Sequence, residues 1–194
     1  RVDEAAAAFD RALAASSTGG DADLHYNRAV AMQSMVPPRL EEAVWSWQMA
    51  ISREPASTPV DVAAHTHYHL ALGLHELDRF AEALEPLRKA LALSPDRYAL
   101  EAGTLECACS YSLAPEKVGF GGSNDDFARE LSASYEQALG LCERAIAFEV
   151  EEQVSEQATR AFERRGLAMA FHTSYQILGD LNRFSEAQHF MDAA

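Results

Sequence analysis

The chain has 194 residues, 48% of them hydrophobic, and carries 30 acidic against 16 basic residues for a formal charge of −14. A chain of this length buries roughly 70% of its unfolded surface, which argues against disorder over most of it. The charge leaves no basic stripe of the kind that displaces counterions from a nucleic-acid duplex, and no apolar run approaches the ~20 residues a bilayer needs.

Ala, Leu, Glu and Arg dominate while Gly and Pro are sparse, so helices are favoured over strands. The chain opens on Arg1 and is already in a helical pattern, as expected of a fragment or processed product of something longer. Nine helices are predicted, over residues 2–16, 23–35, 40–53, 62–77, 80–93, 98–113, 127–148, 154–178 and 183–193. Asp61 and Asp126 stand where N-caps belong. The segment 115–126, PEKVGFGGSNDD, has three glycines and few apolar anchors and reads as a mobile loop.

One pattern recurs along these helices. An alanine is followed four residues later by a larger apolar residue and three later again by alanine, often with proline five beyond. It appears as Ala43, Trp47, Ala50 and Pro55, and as Ala83, Leu87, Ala90 and Pro95. Further copies run Ala5, Phe9, Ala12; Ala138, Cys142, Ala145; and Ala187, Met191, Ala194. Positions four and seven apart share a helix face, so the alanines let two axes approach while the larger residue fills the gap.

HYHLALGLHELDRFAEALEPLRKALALSP resembles one complete tetratricopeptide repeat, and LHYNRAVAMQSM with EEAVWSWQMAISREP resembles a second. Together they cover residues 23–95, and helix 2–16 resembles the second half of another repeat. The marker alanines are spaced 38, 40, 55 and 49 residues apart, against about 34 for a regular repeat, so the C-terminal half departs from the pattern. The resemblance implies an all-α fold: a right-handed α-solenoid of antiparallel helix hairpins over 1–194. Its regular hairpins span 1–113, a loop insertion 114–126, and a degenerate extension of long helices 127–194.

It also implies a protein-interaction scaffold in which the first helix of each repeat lines a concave groove holding a partner segment. The residues so placed are Asp23, Tyr26, Asn27, Val30 and Gln33, then His65, Tyr68, His69, Leu72 and His75. Asn27 matches the asparagine with which clamp-type members hold a partner's terminal carboxylate. Their lysine and arginine on the next repeat are replaced by His65 and His69, which anchor a carboxylate poorly when neutral.

The same residues admit other chemistry. His65 and His69 share a helix face with Asp61 and could seat a transition metal, with His25 as a fourth ligand; polar residues lining a groove are the simpler account. The same histidines make a pH-responsive binder conceivable. His67 points away from that face and reads as core. Trp45 and Trp47 read as repeat packing. Gly119, Gly121 and Gly122 lack a Walker lysine or preceding strand and read as loop. No catalytic constellation and no cofactor site emerge, so the expectation is a non-enzyme, or a regulatory or targeting module of a larger enzyme. Cys107, Cys109 and Cys142 are odd in number and fit no metal or disulfide framework, which suggests the cytoplasm or another reducing compartment. The expected partner is a protein or peptide segment, with no nucleic acid and no membrane insertion.

Overall fold

The computed structural model describes residues 2–16, 21–118, 124–152 and 160–193. Among them the regular structure is helical throughout, with no strand. The helices are α1 (Val2–Ala15), α2 (Ala22–Gln33), α3 (Leu40–Ser52), α4 (Val60–Glu76), α5 (Phe80–Leu93), α6 (Pro95–Lys117), α7 (Asn124–Glu152), α8 (Arg160–Asp180) and α9 (Phe184–Ala193). They divide into two compact units, Arg1–Ser94 and Pro95–Ala194. In the first unit α1 to α5 pack each on the next; in the second α6 packs on α7 and α8, α7 on α8, and α8 on α9.

The repeat pattern marks the core. Ala43, Trp47 and Ala50 are buried, as are Ala83, Leu87 and Ala90, and Ala138, Cys142 and Ala145. Close axis approach extends to the partner helices: a Cβ added at Gly73 of α4 would lie 3.1 Å from Val44 of α3, and one at Gly103 of α6 3.2 Å from Ala145 of α7. α1 departs from the pattern. Ala6 is its buried alanine, while Ala5 is half-buried and Ala12 exposed. Its described packing is on α2. Met191 and Ala194 lie outside the described side chains.

Helix entry repeats as well. Before α5, Arg79 donates to both carboxylate oxygens of Glu82 at 2.7 Å and reaches Glu41 of α3 at 3.3 Å. Before α9, Arg183 donates to both oxygens of Glu186 and reaches Glu136 of α7 at 2.8 Å. Each arginine follows a left-handed residue, Asp78 (φ 58°) and Asn182 (φ 59°), types that tolerate that conformation better than most.

The structure corrects several expectations. Asp21 is the cap of α2, accepting from the Leu24 amide at 2.8 Å. Asp61 and Asp126 are not caps, because α4 begins at Val60 and α7 at Asn124, which leaves both acids in the first turn. There they still meet the positive end of the helix dipole. Pro95 opens α6 rather than only ending α5; at the first helical position its missing N–H costs nothing. α6 then runs through Pro115 to Lys117, so the first part of the 115–126 loop is helical. The remaining glycines, Gly119, Gly121 and Gly122, lie outside the described residues, as does 154–159 of the predicted helix 154–178.

The cysteine reading is overturned. Cys107 of α6 and Cys142 of α7 form a disulfide, with Cα atoms 5.3 Å apart. Both are fully buried, in a cluster with Ala138, Leu139, Ile177, Leu178 and Ala187. Cys109 is the odd thiol, buried and pushed up to about 12 chiefly by desolvation. Near-neighbour spacing compared Cys107 with Cys109, whereas antiparallel packing brings in a partner 35 residues away. The argument for a reducing compartment from unpaired cysteines goes with it. No described helix is long and apolar enough to cross a membrane.

Candidate partner-binding face

α2 and α4 each pack on α3, and their side chains meet over it. Trp47 of α3 is fully buried between them. The Tyr26 ring of α2 meets it edge-on at 5.1 Å, and the His69 ring of α4 stacks on it at 5.4 Å. Tyr26 lies 6.0 Å from His65, and His65 4.3 Å from His69. The Gln33 side-chain oxygen lies 3.2 Å from His69 Nδ1. Two first helices are thus joined by a ladder of rings and one polar contact. Offset and edge-on ring pairs of this kind add about 0.5–1.5 kcal/mol each beyond area burial.

The predicted residues divide into those that build this face and those that it leaves open. Tyr26, Gln33, His65 and His69 are half-buried and form the ladder. Tyr68 is 6% exposed, packed edge-on against His69 at 5.4 Å, and so supports the face from beneath. Asn27 and Val30 are exposed on α2, and Leu72 is half-buried on α4. Asp23 is also exposed, and its carbonyl accepts from the Asn27 amide at 2.8 Å. That bond holds the Asn27 side chain along its own helix and leaves its carbonyl oxygen as the outward acceptor. The half-buried His75 ring meets Phe80 of α5 at 5.4 Å.

Among the described residues no three His, Cys, Asp or Glu side chains converge as a cation site. Asp61 accepts instead from Ser94 Oγ at 3.1 Å, and His69 is turned to Gln33. His25 is buried against Trp45 and in contact with Arg53. Desolvation first, and His65 second, lower His69 to about 4. It therefore stays neutral at pH 5.5, where an unperturbed imidazole would be charged. His67 is buried, and burial likewise lowers it and His75.

Two features went unread in the sequence. Arg28 of α2 is buried yet charged: it pairs with Asp10 of α1 at 2.7 Å and Glu42 of α3 at 3.1 Å, and lies 5.6 Å from the Trp45 ring. Trp45 itself remains 48% exposed. The other is a cleft of about 420 Å³ where α2 and α4 begin and α3 ends, lined by Tyr26, Arg53, Glu54 and Val62 among others. Trp47 and Ala50 of α3, with Arg53–Glu54 just past its end, recur every three to four residues, a spacing that carries the inner face onward to this cleft.

No protein-family profile and no curated protein matches the chain. Among solved structures it is similar to one of nearly identical TPR-like repeats from Podosopora anserina, assigned to a kinesin light chain, with 17% identity and a TM-score of 0.58. That match covers 98% of this chain and 84% of the other. A glutamine-to-methionine variant of the same repeats matches at 17% identity and TM-score 0.59, over 99% and 84% of the two chains. At this identity the likeness concerns the fold, and with the buried marker alanines it is decisive there: the chain has the all-α fold of TPR-like helical repeats.

Proposed function

We propose that the chain is a non-catalytic scaffold whose first unit holds a segment of a partner protein along the α2–α4 face. The observation that carries this is the ring ladder from Tyr26 through Trp47 to His69, which fixes two first helices side by side. Beside it Asn27 and Val30 stand exposed, the latter at 39%. A face preorganised in this way loses little entropy when a partner is ordered on it. Asn27 offers an acceptor to a partner's backbone, while Val30 and Leu72 supply apolar contact. Tyr68 and His69 act beneath the surface, as supports.

The test begins with a partner recovered by affinity purification and identified by mass spectrometry. Its affinity should fall about ten-fold or more for Asn27→Ala combined with Val30→Asp, the scale of one interface hot spot. Arg88→Ala, on an exposed position of α5, should leave it unchanged. Equal affinity for all forms would move the binding surface elsewhere.

A further inference from the structure

The cleft at the open end of α2, α3 and α4 has a composition that the ladder does not use. Its lining combines Ala22, Tyr26, Ala50, Pro55, Pro59 and Val62 with the hydroxyl residues Ser57, Thr58 and Thr66, and Val62 remains 43% exposed. Asp21, Asp23 and Glu54 bring three carboxylates to it against a single cation, Arg53, whose guanidinium is in contact with His25. Asp21 is engaged as the cap of α2. The carboxylates of Asp23 and Glu54 have no partner among the described residues, and burial raises Glu54 above its ordinary value. A desolvated acid in such a cleft is eased by an incoming cation. The start of α2 carries a partial positive charge, but Asp21 and Asp23 lie on it. Tyr26 belongs both to the cleft and to the ladder, so the two are continuous.

We infer that this cleft receives a lysine or arginine side chain of the partner, with its aliphatic stem against Tyr26 and Val62 and its charged head between Asp23 and Glu54. A long side chain with an apolar stem and a cationic tip is the complement of a cleft lined by both apolar and acidic residues. The Tyr26 ring adds a face on which such a cation is attracted. The overall charge of −14 draws basic segments toward the surface before docking. The inference deepens the partner-binding reading and rests on it for the source of the side chain.

The experiment uses small probes, so that it does not depend on finding the partner. The intact chain, ¹⁵N-labelled, is titrated with the N-acetyl methylamides of lysine, arginine, norleucine and glutamate. Lysine and arginine probes should give saturable amide shifts centred on Tyr26, Val62 and Thr66, and norleucine and glutamate should not. Asp23→Asn with Glu54→Gln should weaken the basic probes about five-fold, the effect of two part-exposed ion pairs. Glu85→Gln on α5 should leave them as they were. Shifts spread over the whole acidic surface, equal response to norleucine, or no effect of the double variant would each overturn the inference. Failure here with partner affinity still lost on changing Asn27 and Val30 would remove the cleft alone. The reverse pattern would remove the face and keep the cleft.

Discussion

The two units reach the same helix packing by different means. In the first, the buried position between marker alanines is Trp47 or Leu87, α2 and α4 are tied across α3 by aromatic rings and histidines, and the Arg28 ion pairs tie α2 to α1 and α3. In the second, the equivalent position of α7 is Cys142, and a covalent bond to Cys107 ties α6 to α7. Both tryptophans and five of the seven histidines lie in the first unit, and all three cysteines in the second. The alanine frame therefore sets how closely helices approach, while the residue between the alanines decides what kind of bond crosses the gap. The second unit also carries a ring pair, Tyr111 of α6 on Tyr135 of α7 at 5.3 Å, with the Tyr111 hydroxyl donating to Asp180 of α8 at 2.7 Å, so the covalent bond is added to contacts of the first unit's kind.

The sharpest way to break this comparison is to cut the covalent tie. Closing a loop across a 35-residue separation stabilises by about 3–4 kcal/mol in the chain-entropy account. Cys107→Ser with Cys142→Ser should lower the second unit by that amount. Tryptophan fluorescence reports the first unit alone, so its urea transition should stay in place while the circular dichroism transition gains an earlier phase. Movement of both together by the same amount would mean that the units do not differ in this respect.

A smaller effect sharpens the histidine side. His69 is lowered to about 4 in the folded chain, and an unfolded histidine titrates near ~6.5. The unfolded chain thus takes up the proton first, and acid favours unfolding. The contribution from His69 is complete above about pH 6.5 and is lost as pH falls toward about 4, by at most about 3 kcal/mol. Tryptophan-detected urea melts between pH 7.5 and 4.5 should show this loss, and His69→Gln should flatten the slope by about one proton. Parallel slopes for the two forms would contradict the buried neutral imidazole.

How much of this was legible in the sequence follows from the range of each interaction. Ala43, Ala83 and Ala138 announce buried helix faces because the pattern that places them spans only eight residues. Their surroundings could be read on one helix at a time. Cys142 carried a usable signal, since it stands where Trp47 and Leu87 stand and so had to face inward. Its partner did not, because the register of α6 against α7 is settled by tertiary packing. Arg28 was opaque for a related reason: a charged residue reads as surface until Asp10 and Glu42 are brought to it from two other helices. The groove residues on α2 and α4 were placed by resemblance. What it could not supply was that Tyr68 would be covered and His75 turned to Phe80. Those outcomes depend on how each ring packs against its neighbours.

The smallest effect concerns what the units share. Arg79 and Arg183 each bind a glutamate three residues ahead and another on a neighbouring helix, Glu41 and Glu136. These pairs are part-exposed, so Arg79→Gln and Arg183→Gln should each cost about 1 kcal/mol or less. The two losses should be alike when read by tryptophan fluorescence for the first unit and, for the second, by the part of the circular dichroism change that fluorescence does not follow. A loss several times larger on one side would show that the recurring turn is not an equivalent device.

The central claim is that the face beside the ring ladder of the first unit holds the partner. A photo-crosslinking residue placed at position 27, and separately at position 88 and at exposed position 175 of the second unit, tests it most directly. Exposure to light in the presence of the purified partner should give a covalent adduct from position 27, whose mapped peptide is one continuous segment of the partner. Positions 88 and 175 should give none. Adducts from 88 or 175 with none from 27, in a chain whose helical spectrum is unchanged, would contradict the account.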